Sequence, residues 1–106
     1  MRAPSHLSAP SRAWWRSVTD GYLLEEHHVR LLTLACEAWD RCEQARAVLT
    51  TSGLTFEDRF GCPRARPEVA IERDSRVAFA RLLRELALDV EPPKDNRPPG
   101  ISGRGR

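Results

Sequence analysis

The cysteine and histidine side chains are the first candidates for covalent or metal chemistry, because thiolates and imidazoles serve as nucleophiles and zinc ligands. The chain contains three of each. Cys36 and Cys42 are six positions apart, so on one helix they point about 240° away from each other and cannot share a metal ion. His27 and His28 are adjacent, whereas paired zinc ligands on a helix are four residues apart. These spacings predict no metal site, and since the glycines are isolated and form no phosphate-binding loop, no cofactor and no enzymatic activity are expected.

Arginine is the second candidate, because its planar guanidinium binds phosphate through two parallel hydrogen bonds. The chain has 17 basic residues, of which Lys94 is the single lysine, yet its net charge is only +2. A histone-like protein is excluded, and any contact with nucleic acid must come from local clusters. Codon usage in a GC-rich genome would also explain the excess of arginine over lysine.

Two arginine clusters are candidates for contacts with the phosphate backbone of DNA. The first is Arg59, Arg64 and Arg66, in a connector that carries a positive excess, and the second choice is Arg12 and Arg16 near the N-terminus. Such contacts position a protein on DNA without reading its sequence. The chain shows no helix-turn-helix pattern with a basic recognition helix, so base-specific reading is not predicted.

Helix start and stop signals predict an all-α protein. Ser8 or Ser11 caps a short first helix that Gly21 ends, and a long second helix runs from about Glu25 to Thr51. Residues 54–66 contain isolated aromatic residues and a Gly-x-Pro step, which favour a short hairpin or an extended connector. Pro67 starts the last helix. Phe56 and Phe60 are expected to pack on the helices, because an isolated hairpin is only marginally stable.

The second helix has a polar arc about 100° wide and is largely apolar around the rest of its circumference. Favourable pairs four residues apart, Glu26 with Arg30 and Glu37 with Arg41, lie on the arc. The apolar sector is too wide for one partner helix, which predicts association between copies of the chain. The residues expected in the combined core and interface between copies are Leu31, Leu32, Ala35, Trp39, Cys42 and Leu49.

The C-terminal residues 92–106 differ in composition from the helical domain predicted for residues 1–91. They contain four prolines, three glycines and one large apolar side chain, so the sequence predicts a disordered basic tail. No apolar run reaches the ~20 residues that span a bilayer. The first residues lack the apolar stretch of a signal peptide, and cytosolic localisation with no membrane partner is expected.

The order of these features resembles the small terminase subunits of tailed double-stranded DNA bacteriophages, over about residues 5 to 91. The resemblance lies in a short tryptophan helix, a long helix, a Gly-x-Pro connector and a final helix closing on Leu-x-Leu. The stretches that carry it are Leu7-Ser8, Trp15, Tyr22-Leu23, Leu31-Leu32, Glu37-Ala38-Trp39-Asp40-Arg41, Gly53-Leu54, Gly61-Cys62-Pro63-Arg64-Ala65-Arg66-Pro67, Ile71-Glu72, Phe79 and Leu82-Leu83-Arg84-Glu85-Leu86-Ala87-Leu88-Asp89.

The resemblance implies a non-catalytic DNA-packaging factor in the cytoplasm of an infected bacterium. It implies a homo-oligomeric ring that binds double-stranded viral DNA and recruits or regulates the large terminase subunit, an ATPase and nuclease. By the same analogy, the tail residues expected to contact the large subunit are Lys94, Arg97, Arg104 and Arg106.

Two other interpretations stay open at the level of sequence. A helical adaptor or head-assembly protein that binds only proteins would explain the nearly balanced charge. A small transcriptional regulator would require a compact recognition helix and a dimer instead of a ring.

Overall fold

The computed structural model describes residues 1–87. It contains α1 (Ala9–Gly21), α2 (Glu26–Ser52), β1 (Thr55–Glu57), β2 (Pro63–Ala65) and α3 (Pro67–Leu86). This order confirms the helical fold class with a short hairpin between the second and third helices. The predicted tail lies outside the described residues.

Helix α1 begins and ends where the sequence signals place it. Ser8 is the N-cap, and its hydroxyl accepts a hydrogen bond from the backbone N–H of Ser11 at 3.3 Å. Pro10 lies in the first turn, where a missing N–H costs little. Trp15 is buried and donates its indole N–H to the hydroxyl of Thr33 at 3.2 Å. One of the two adjacent tryptophans therefore fixes α1 on α2.

Helices α2 and α3 form an antiparallel helical hairpin. Near the end of α2, Arg46 donates to Glu72 of α3 at 3.0 Å, and farther back Trp39 packs on Phe79 with ring centroids 5.2 Å apart. The core of the described chain lies where α1 joins this pair. It contains Leu7, Trp15, Val18, Leu32, Cys36 and Leu86.

The polar arc of α2 is the surface on which the N-terminal part of the chain docks. Asp40 accepts hydrogen bonds from the Ser8 N–H at 2.8 Å and from the hydroxyls of Ser8 and Ser11, each at 2.6 Å. Glu37 contacts His6 at 2.7 Å, while the predicted ion pair with Arg41 is absent from the described residues. Of the two predicted pairs on this arc, the one between Glu26 and Arg30 forms, at 2.9 Å.

Half of the six residues expected in the combined core are enclosed within one copy of the chain. Leu32, Ala35 and Cys42 are buried between α2 and its neighbouring helices. A second copy can reach the other three, since Leu31 and Leu49 are half-buried and Trp39 is 41% exposed. The apolar surface of α2 that stays uncovered is therefore smaller than the sequence predicts, because α1 and α3 each cover part of it.

The expectation that Phe56 and Phe60 pack on the helices is wrong. Phe56 is 39% exposed and Phe60 is 75% exposed. The hairpin continues past the end of the α2–α3 pair and packs little against the helices, so both rings remain accessible to solvent. Hydrogen bonds within the connector hold its shape instead.

Candidate nucleic-acid interface

The connector is a two-stranded antiparallel ribbon whose register places basic and aromatic side chains on one face. Phe56 lies directly opposite Arg64, and Thr55 opposite Ala65. Side chains alternate between the two faces of a strand, so Arg66, two positions after Arg64, follows it on the face of Phe56. The acidic Glu57 lies on the other face, opposite Pro63. The ribbon therefore separates its arginines from its glutamate.

Asp58 organises the turn that closes the ribbon. Its Oδ1 accepts hydrogen bonds from the backbone N–H groups of Phe60 at 2.8 Å and Cys62 at 3.0 Å. Gly61 adopts the left-handed conformation with φ of 77°, which glycine enters without steric cost. The backbone N–H of Cys62, then the Arg64 side chain and the N–H of Phe60, lower the pKa of Asp58 below 3.8. The turn is therefore held by an ionised carboxylate at neutral pH.

Arg64 both supports the turn and presents charge to solvent. Its Nε donates to Asp58 Oδ2 at 2.9 Å. The side chain is exposed, and its two terminal nitrogens have no partner within residues 1–87. One edge of the guanidinium is engaged, and the other edge can reach a phosphate oxygen.

Arg59 and Arg66 are held by aromatic rings rather than by carboxylates. The Arg59 guanidinium carbon lies 5.1 Å from the centroid of the Phe60 ring, and that of Arg66 lies 5.9 Å from the Phe56 ring. Neither arginine has an ion pair with another described residue. A ring of this kind orients a guanidinium without neutralising it, so both positive charges remain available.

The two arginines of the second predicted cluster, Arg12 and Arg16, differ in their surroundings. Arg12 is half-buried and donates to the carbonyl oxygens of Leu7 and Ser5, so it supports the start of α1. Arg16 is exposed, and it lines a shallow surface depression together with Arg2, Arg12 and Met1. The depression is formed by α1 and the segment before it, which are separated from the ribbon in sequence by the whole of α2. The structure does not bring the two arginine clusters together.

Two features of the ribbon escape sequence reasoning. The exposure of the Phe56 and Phe60 rings is one, because their apolar character predicts packing on the helices. Arg66 Nε is buried and lacks an acceptor among the described residues. A buried donor without a partner is uncommon in folded proteins, so this group stands out among the polar atoms of the ribbon.

The two buried thiols, Cys36 and Cys42, show no sign of activation. Burial, followed by the charges of Asp40 and Glu37, raises the pKa of Cys36 to about 12. Burial likewise raises the pKa of Cys42. Thiols with raised pKa values are poor nucleophiles near neutral pH. Both are buried and behave as small core residues.

The described chain is a helical protein whose α2–α3 hairpin carries a ribbon with basic and aromatic side chains on one face. The family model described as phage terminase, small subunit, matches residues 12–95 of the chain. The chain therefore belongs to the phage terminase small subunit family, whose role is in phage DNA packaging and whose members are generally non-catalytic. Searches of curated proteins and of solved structures return no match. Within residues 1–87, no helix is long and apolar enough to cross a bilayer.

Proposed function

We propose that this chain is a non-catalytic packaging factor that binds viral DNA and recruits or regulates the large terminase subunit in the cytoplasm of the infected host. Membership of the small subunit family supports the packaging role. The observation that carries the DNA contact is the ribbon between α2 and α3. Its basic face presents Arg64 and Arg66, and its turn presents Arg59.

The chemistry of the ribbon favours the phosphate backbone as its target. Guanidinium groups that keep their charge bind phosphate and release condensed counterions, which supplies most sequence-independent affinity. Exposed rings beside them can stack on a base or enter a groove, as apolar wedges do in proteins that bend DNA. Phe60 at the turn is the ring placed for such a contact, because it is largely exposed.

Assembly of several copies would multiply a weak contact. Leu34 on α2 is 50% exposed, and the half-buried Leu31 and Leu49 lie on the same helix. Exposed apolar surface of this kind is typical of protein interfaces. We propose a homo-oligomeric ring in which this surface contacts a neighbouring copy, so that many ribbons act on one DNA molecule. Native mass spectrometry reads the copy number directly, and a monomer at micromolar concentration would contradict the ring.

The contact with the large subunit is assigned to the C-terminal residues Lys94, Arg97, Arg104 and Arg106. They lie outside the described part of the chain, and their support is the concentration of positive charge in residues 92–106. Substitution of all four by alanine is expected to weaken co-purification with the large subunit while DNA binding through the ribbon persists.

The DNA contact is tested by the salt dependence of binding. Arg59→Ala combined with Arg66→Ala removes two charges that have no carboxylate partner within residues 1–87. We expect weaker binding to duplex DNA and a loss of about 0.9 from the slope of log K against log salt for each phosphate contact removed. Filter binding between low and physiological salt measures both quantities.

The matched control is Arg30→Ala. Arg30 is exposed and pairs with Glu26 at the opposite end of α2 from the ribbon, so its loss changes net charge without touching the ribbon. A double variant that binds like the control, with the same affinity and slope, would remove the ribbon from the DNA interface. Absence of DNA binding by the unaltered protein at low salt would favour the adaptor that binds only proteins.

A further inference from the structure

An apolar cleft opens where α1, α2 and α3 meet. It has a volume of about 290 Å³ and is lined by Pro10, Ser11, Trp14, Trp39 and Phe79. Phe79 forms its centre, with the Trp14 centroid at 5.9 Å and the Trp39 centroid at 5.2 Å. The planes of both tryptophans are tilted by more than 50° to that of Phe79. The DNA-binding proposal makes no use of this cleft.

The chemistry of the cleft matches the way aromatic grooves bind proline. Grooves of tilted tryptophan and phenylalanine rings accept the flat faces of proline rings in an extended, left-handed helix. Binding is completed by hydrogen bonds from indole N–H groups to peptide carbonyls, which proline segments leave free. The indole N–H groups of Trp14 and Trp39 have no acceptor within residues 1–87, whereas that of Trp15 is bound to Thr33.

The chain itself contains a segment with this chemistry. Residues 92–99 read Pro-Pro-Lys-Asp-Asn-Arg-Pro-Pro, with two proline pairs separated by four polar residues. With Lys94 and Arg97 against Asp95, the segment has a net charge of +1, while residues 24–53, which include α2, carry a net charge of −2. The Asp40 carboxylate adds a negative charge beside the cleft, where it accepts a hydrogen bond from Ser11 Oγ. Charge and composition are therefore complementary.

The tail also starts within reach of the cleft. Seven residues of helix separate Phe79 from Leu86, a distance of about 10 Å along the axis. Ala87 ends α3 in the left-handed conformation, with φ of 58°, and its N–H bonds to the carbonyls of Leu83 and Arg84 at 3.1 Å. Such a cap turns the chain away from the helix axis. The five residue-to-residue steps from Ala87 to Pro92 can span about 16 Å when extended, which is enough to bring the first proline pair to Phe79.

We propose that the cleft of Trp14, Trp39 and Phe79 is a proline-binding site whose occupant is the chain's own segment 92–99. This site is separate from the proposed DNA contact, so either can fail without the other. The interaction holds the root of the basic tail against the helical body and leaves Arg104 and Arg106 beyond it.

The three tryptophans provide the test. In the full chain labelled with 5-fluorotryptophan, each indole gives its own ¹⁹F resonance, which single Trp→Phe variants assign. Substitution of Pro92, Pro93, Pro98 and Pro99 together by alanine is expected to shift the resonances of Trp14 and Trp39. The resonance of Trp15, buried and bound to Thr33, is expected to stay in place and serves as the internal control.

The matched variant changes Gly100, Gly103 and Gly105 to alanine, which alters the same tail without touching a proline. A synthetic peptide of residues 91–100 added to the four-proline variant should return the Trp14 and Trp39 resonances to their positions in the unaltered protein. A peptide with the prolines replaced by alanine should leave them shifted. Restoration by mixing with unlabelled native protein would also support the site, with the segment supplied by a neighbouring copy.

Two outcomes would overturn the proposal. In the first, the four-proline variant and the glycine variant give the same Trp14 and Trp39 resonances, and the peptide has no effect. In the second, these resonances respond to dilution of the protein but not to the prolines, which would mean that the body of a second copy covers the cleft.

Discussion

Replacing Asp40 by alanine is the substitution whose effect on folding follows most directly from the structure. The carboxylate accepts three hydrogen bonds of 2.6–2.8 Å from Ser8 and Ser11, so it joins the start of α1 to α2. At a net value of about 1 kcal/mol for each partly exposed hydrogen bond, the loss is about 3 kcal/mol. The buried hydroxyl of Ser11 loses its acceptor as well, which keeps the cost from falling much below this value.

The loss of stability caused by Asp40→Ala should be larger at neutral pH than in acid. Burial acts to raise the pKa of Asp40, but the hydrogen bonds from Ser11 and Ser8 and the charge of His6 outweigh it and hold the pKa below 3.8. A carboxyl with a lowered pKa in the folded state stabilises the fold above its unfolded pKa. This contribution is fully present above about pH 5 and is lost as the pH falls through the folded pKa. The deficit of the alanine variant should therefore shrink in acid.

Urea unfolding followed by circular dichroism, at fixed protein concentration and at pH 7 and pH 3, measures both effects. The control is Asp74→Ala, because Asp74 is exposed and pairs only with its neighbour Arg73 in the described chain. We expect this control to change the free energy of unfolding by less than about 0.5 kcal/mol. If Asp40→Ala is no more destabilising than the control at pH 7, or its deficit is independent of pH, the docking role of Asp40 is refuted.

Two further predictions concern single positions. Gly53 ends α2 with φ of 85°, so Gly53→Ala should lower the free energy of unfolding by about 1–3 kcal/mol. Gly21 is helical and has no atom within 4 Å of an added methyl group, so Gly21→Ala should be neutral or slightly stabilising. Equal effects of the two substitutions in urea unfolding would contradict the conformational argument. At pH 8 the folded protein should react rapidly with a disulfide reagent at the exposed Cys62 alone, since Cys36 and Cys42 are buried and have raised pKa values. Thiol titration should then find all three in urea, and rapid reaction of three thiols without urea would show that the core opens readily.

Local signals in the sequence determined where helices α1 and α3 begin. Ser8 and Pro67 act through their own backbone and immediate neighbours, and the structure places each at a predicted helix start, with Ser8 and not Ser11 as the cap of α1. The Gly-x-Pro step of the connector is local as well and predicts a short hairpin or an extended segment, of which the structure shows the hairpin. Family membership followed from the order of these elements, and the family model confirms it.

Only the tertiary structure decided which surfaces meet. Helical periodicity shows that Thr33, Glu37 and Asp40 share a face of α2, but not that the polar groups of Ser8, Ser11 and Trp15 would cover that face. The same limit applies to Phe56 and Phe60, whose apolar character predicted burial although the ribbon extends past the helices that could have covered them. Burial and pairing depend on what packs against a side chain from distant parts of the chain, and periodicity along one element carries no information about that partner.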